Sequence, residues 1–167
     1  MVTDNDKSNI TVRFANYSEL ERINELRKQV NDIHVSGRPD IFRPGFNIQL
    51  QSRIFEVFDS DGSDVIAAFV GDVLCGFAVV QYLTKPLSPY NLQRRIYQVE
   101  EFGVDERYRR MGAASAMVTF MKNDAVNRGY DRIELDMWEF NDAARAFYES
   151  VGFVTYRRYM ELNVTGD

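Results

Sequence analysis

The chain has 167 residues, 45% of them hydrophobic and 27% charged, with a formal net charge of −5 and a pI near 5.0. This is the balance of a folded globular polymer rather than a disordered or membrane one. The acidic excess argues against nucleic acid as the main partner, because phosphate contacts demand a basic face, and suits a cationic or amine substrate, or plain solubility. With one cysteine, Cys75, and one histidine, His34, there is no disulfide framework and no cluster for a metal ion, so no metal is expected. No run approaches a membrane-spanning length, and the N-terminus MVTDNDKSNI is polar and acidic, so the expected setting is cytoplasmic without a membrane partner. The length suits one domain over residues 10–167, preceded by a flexible segment over 1–9.

In chain order, Ser18 and Glu21 have capping-box spacing ahead of Leu20, Ile23, Val30 and Ile33, which predicts a helix ending near Gly37. HVSGRPDIFRPGF holds two prolines and two glycines and reads as an exposed loop. A shorter helix follows over about Asn47 to Phe58. DVIAAFV and VLCGFAVVQYL, joined at Gly71-Asp72, read as an antiparallel hairpin in which Cys75 is a buried, inert thiol. After the loop KPLSPYNLQRR, RIYQVEEFGV reads as a strand that runs into DERYRRMG, and GAASAMVTFMKNDAV as a helix ending near Gly129. DRIELDMW alternates Ile133, Leu135 and Met137 against Glu134 and Asp136 and reads as a half-buried strand. Asn141 caps a last helix with Ala144, Phe147, Tyr148 and Val151 on one face, and Gly152 ends it. GFVTYRRYMELNV reads as a final strand or pair of strands. The order predicts an α/β or α+β domain with a mixed sheet.

A strand that turns through Arg109, Arg110, Met111, Gly112, Ala113 and Ala114 straight into a helix collects backbone N–H groups at the positive end of a helix dipole, which is an anion site. It lacks the Gly-Lys-Ser/Thr ending of a P-loop and is not Gly-x-Gly-x-x-Gly. VDERYRRMGAA resembles the pyrophosphate loop of the GNAT superfamily of N-acetyltransferases, Arg/Gln-x-x-Gly-x-Gly/Ala, with Arg109, Gly112 and Ala114 in its fixed places. Val104, Asp105, Glu106 and Tyr108 are similar to its lead-in without the usual proline, and Asn141, Ala144 and AFYESVGF to its second signature.

The resemblance implies an α/β (α+β) fold, a mixed, mostly antiparallel central sheet flanked by helices on both faces, and an acyltransferase that moves an acetyl group from acetyl-CoA to a primary amine of a small molecule. In that reading Arg109, Arg110, Met111, Gly112, Ala113 and Ala114 hold the pyrophosphate, and Phe102, Gly103 and Val104 pair with the pantetheine arm. Asn141 contacts the cofactor and Tyr148 protonates the CoA sulfur. Glu100, acting through a water, is the base suggested by similar acidic positions in polyamine-type members, with Glu101 holding a cationic substrate. Consecutive strand residues face opposite sides, so one of the pair is expected to point at the acetyl group unless a bulge intervenes. Gly103 suits a bulge or a close ligand approach. His34, Asp40 and Phe42 are candidate acceptor contacts in the covering loop. A protein N-terminus or lysine is the alternative acceptor, and a non-catalytic CoA sensor the alternative of another class. Family members often dimerise through their last strands, and VTYRRYMELNV leaves that open.

Overall fold

The computed structural model describes residues 9–165; apart from Asn9, the N-terminal segment expected to be flexible lies outside them. The chain divides into two compact units with the boundary between Asp136 and Met137.

The first unit is a five-stranded sheet in the order β1-β2-β3-β4-β5, with strands β1 Ile10–Phe14, β2 Ser63–Val70, β3 Val73–Lys85, β4 Arg94–Val104 and β5 Ile133–Leu135. The first four pair antiparallel and β5 joins β4 in parallel. The sheet is therefore mixed and mostly antiparallel, as expected. Helices α1 Leu20–Gly37 and α2 Ile48–Phe58 cover one face and α3 Ala113–Asn127 the other. Strand alternation sorts the core between them. Leu20, Ile23, Leu26, Ile54 and Val57 pack with Val65, Ala67, Phe69, Phe77 and Val79. Met117, on the opposite side, approaches Gly76 so closely that a Cβ there would meet its Cε at 3.0 Å.

Several expectations need correction. The element order omits β1, whose five residues ITVRF include Thr11 and Arg13 and give too short an alternation to read alone; β2 holds them in register from Ile10↔Val70 to Phe14↔Ile66. The capping box is not Ser18 with Glu21 but Asn16 with Glu19: the Asn16 N–H donates to Glu19 Oε2 at 2.7 Å, and a 3₁₀ turn, Tyr17–Glu19, precedes α1. Asn47 caps α2 by accepting from the Leu50 N–H at 3.0 Å. The predicted alternating strand shrinks to Ile133–Leu135.

The second unit holds α4, Asp142–Ser150. Asn141 caps it, accepting from the Ala144 N–H at 3.1 Å. Gly152, at φ 100°, closes it as the sequence predicts: its N–H donates to the Glu149 carbonyl at 3.1 Å and that of Phe153 to the Tyr148 carbonyl at 2.9 Å. The final strand expected over GFVTYRRYMELNV is not formed among the described residues, and Val154, Tyr156, Tyr159, Met160 and Leu162 are exposed. Alternating apolar residues specify a strand only where a sheet edge takes their backbone groups.

Candidate active site

At the end of β4 the chain makes a 3₁₀ turn, Glu106–Tyr108, and enters α3 through a strained loop. Arg110 sits at φ 62°, a left-handed conformation unusual for a non-glycine residue, and Gly112 at φ 98°. The two reversals turn the backbone so that the N–H groups of Arg110, Met111, Gly112, Ala113 and Ala114 meet no acceptor among the described residues; the ladder of α3 opens with the Ala116 N–H donating to the Gly112 carbonyl at 2.9 Å. Glycine is needed at 112 for its φ, since an added Cβ would meet Ile10 Cδ1 at an ordinary 3.4 Å. Arg109 Nε turns back toward the Val104 carbonyl at 3.5 Å. Asp105 anchors the loop from below. Its fully buried carboxylate accepts from Arg22 Nη2 at 2.5 Å, Arg107 Nη2 at 2.7 Å and the Arg107 N–H at 3.1 Å, and its own N–H donates to the Cys75 carbonyl at 2.7 Å. Arg107 and Arg22 hold its pKa well below the usual carboxylate range against the opposing effect of burial.

On the α1/α2 face, β4 carries a bulge. Val79 pairs with Glu101 and Val80 with Val99, so Glu100 is the extra residue. The alternation expected of Glu100 and Glu101 is thereby broken, and both look toward α1 and α2. Glu101 is gripped by Arg27 of α1, from Nε to Oε2 at 2.7 Å and from Nη2 to Oε1 at 2.9 Å. The Glu100 side chain has no ion pair among the described residues. Partial burial raises its pKa above the ordinary value, opposed by Arg53 of α2 and assisted by Asp136 and Glu101. His34, in the last turn of α1, stacks on Phe42 of the covering loop with ring centroids 5.1 Å apart. Burial lowers its pKa and the Glu101 carboxylate opposes that. Asp40 pairs with Arg38 in the loop itself at 2.7 Å.

Gly103 is set by packing: a Cβ there would lie 2.7 Å from Val30 Cγ2 and 2.8 Å from Phe77 Cε1. The β4–β5 ladder runs from Tyr97 to Val99 and stops, so Phe102, Gly103 and Val104 continue beyond it, paired with β3. Cys75 is buried, as expected, and burial raises its thiol to about 11.

In the second unit Tyr148 packs edge-on against Phe153 at 5.5 Å and beside Phe147 at 5.4 Å. Burial pushes its phenol up to about 12. Trp138 and Phe140 stack on each other at 6.3 Å.

The model of the acetyltransferase (GNAT) family matches residues 27–153, which spans the loop, the bulge and α4. The chain belongs to the GNAT family. Within it, the chain is 30% identical over 130 residues to an L-ornithine N5-acetyltransferase of Arabidopsis thaliana, covering 77% of this chain and 56% of that one; it thus spans little more than half the length of this curated relative. A crystal structure of a mutant of the BH1408 protein from Bacillus halodurans superposes with a TM-score of 0.88 at 30% identity, covering 93% of this chain and 99% of that one. An aminoglycoside N-acetyltransferase solved with CoA, AAC(6')-Iy, shares the fold, with a TM-score of 0.73 at 19% identity over 92% of this chain and 93% of that one.

Sequence reasoning missed Arg27 and Asp105 as site residues. Arg27 had a signal: it sits three and four residues from Val30 and Ile23 on the apolar stripe of α1, where a charge stays only if paired. Asp105 closes an apolar strand, and nothing local names its partner Arg22, which is 83 residues away.

Proposed function

We propose that the protein transfers the acetyl group of acetyl-CoA to a primary amine of a small cationic molecule by direct attack. The observation that carries this reading is the run of acceptor-free N–H groups from Arg110 to Ala114 at the start of α3, donors suited to a pyrophosphate at the positive end of a helix dipole. L-ornithine as the acceptor of a relative and the free carboxylate of Glu100 favour a small cationic amine over a peptide.

In this reading Glu100 takes one proton from the acceptor ammonium, directly or through one water, and frees the nitrogen lone pair. The nitrogen attacks the acetyl carbonyl carbon, a C–N bond forms and the C–S bond breaks. Tyr148 gives its proton to the leaving thiolate and regains one from the nitrogen, which becomes an amide. A phenol raised to about 12 stays protonated at neutral pH and is a donor. Phe102 to Val104 receive the pantetheine arm, Asn141 contacts it, and His34, Asp40 and Phe42 lie in or beside the loop that meets the acceptor.

Free-thiol release from acetyl-CoA, measured against L-ornithine, polyamines, aminoglycosides and peptides, tests the reading. Turnover with a small amine is expected. Turnover with peptides alone moves the function to protein acetylation, and tight CoA binding with no turnover across the panel makes the domain a sensor.

A further inference from the structure

Glu100 and Glu101 are adjacent carboxylates on one face of β4, and only the second is neutralised by a partner among the described residues. That partner, Arg27, is 4% exposed. Beyond its two bonds to Glu101, its Nη1 donates to the Leu50 carbonyl at 2.6 Å and to Asn24 Oδ1 at 2.8 Å, and its guanidinium lies 5.5 Å from the centre of the Phe46 ring. The guanidinium is therefore fixed by α1, by the first turn of α2 and by the covering loop at once. It reaches the sheet at the residue next to the bulge.

We infer that Arg27 is a positioning residue for the acetyl transfer: its two-pronged grip on Glu101 cancels the charge beside Glu100 and pins the bulge, so that Glu100 alone receives the acceptor's proton. This rests on the reading of Glu100 as the base. The charged and titratable groups facing Glu100 are Arg53 from α2, Asp136 after β5 and Glu101 on its own strand. Arg27 and His34 of α1 act on Glu101. Without Arg27, Glu101 becomes an uncompensated negative charge next to Glu100, and like charges hold a proton on one carboxyl to higher pH.

The test follows the Glu100 side-chain carboxyl by ¹³C NMR in glutamate-labelled protein, with Glu100→Gln assigning the signal, alongside the pH profile of acetylation with L-ornithine as the common acceptor. Arg27→Gln is expected to raise the Glu100 midpoint by about one pH unit, and the acid limb of the rate with it, while KM for acetyl-CoA stays within about twofold. Arg27→Gln with Glu101→Gln removes both charges and returns the midpoint to the parental value. Glu101→Gln alone leaves Arg27 uncompensated and lowers the midpoint, so the inference stays open to refutation even if Arg27→Gln fails to fold. An unmoved midpoint in Arg27→Gln or in folded Glu101→Gln, or one still raised in the double variant, overturns it; a structural role lowers the rate at every pH and leaves the midpoint alone. A midpoint that moves while the acid limb stays, with parental turnover in Glu100→Gln, removes Glu100 from the reaction and so strikes the proposed function rather than the Arg27–Glu101–Glu100 linkage.

Discussion

Tyr148 lies in the last turn of α4, where its ring packs against Phe147 and Phe153. Its hydroxyl is separable from that role. Tyr148→Phe keeps the ring and deletes the proton, so kcat is expected to fall about 100-fold while KM for acetyl-CoA stays within about twofold; equal turnover in steady-state assays removes the tyrosine from the acid role. Gly103 makes the opposite separation. Because a Cβ there would press on Val30 and Phe77 of the core, Gly103→Ala is expected to cost roughly 1–3 kcal/mol of stability by overpacking, read by chemical denaturation. If glycine served ligand approach instead, the denaturation midpoint would hold and KM for acetyl-CoA would rise.

At the scale of elements, the loop between β4 and α3 is the part of the site most legible in the sequence. Its chemistry is local: a strand, a glycine and a helix start within a few residues suffice to gather the donors. Gly112→Asp places a β-carbon at φ 98°, which costs about 1–2 kcal/mol, and sets a carboxylate beside the donors where the anion is expected. CoA binding measured by calorimetry should weaken at least about 100-fold while the protein still melts cooperatively; undiminished binding would remove the phosphate role. The helix ends at Asn47, Asn141 and Gly152 were legible for the same local reason. The bulge was not, because it exists in the register between Val79 and Glu101, two strands whose pairing no single segment encodes. Arg27 with Glu101 and Arg22 with Asp105 were hidden in the same way, 74 and 83 residues apart. The last segment misled in the other direction: VTYRRYMELNV has strand composition, and composition does not supply a partner edge.

For the molecule as a whole, Asp105 links the folding of the sheet to pH. Its folded pKa is depressed below the unfolded value by Arg107 and Arg22. The stabilisation is therefore fully present above the unfolded value of about 3.9 and is lost as pH falls through the folded value. Asp105→Asn leaves Arg22, which is 27% exposed and keeps its pair with Glu25, facing a neutral amide at a buried site. Since Arg107 is 67% exposed and can turn to water and Arg22 keeps Glu25, the cost is that of lost charge-assisted hydrogen bonds, about 2 kcal/mol, or about 6 °C in Tm for a chain of this size. Other groups also titrate. Glu19 is depressed by Arg13, His34 is lowered by burial and so favours folding above its unfolded value, and Glu100 is raised and acts in the opposite sense. These act alike on parent and variant, so the difference between the two melting curves isolates Asp105. That difference should be constant from pH 8 to about 4 and shrink below about 3.9. A gap that closes between pH 7 and 5, or no gap at pH 7, would mean that the pair does not hold the loop to the sheet.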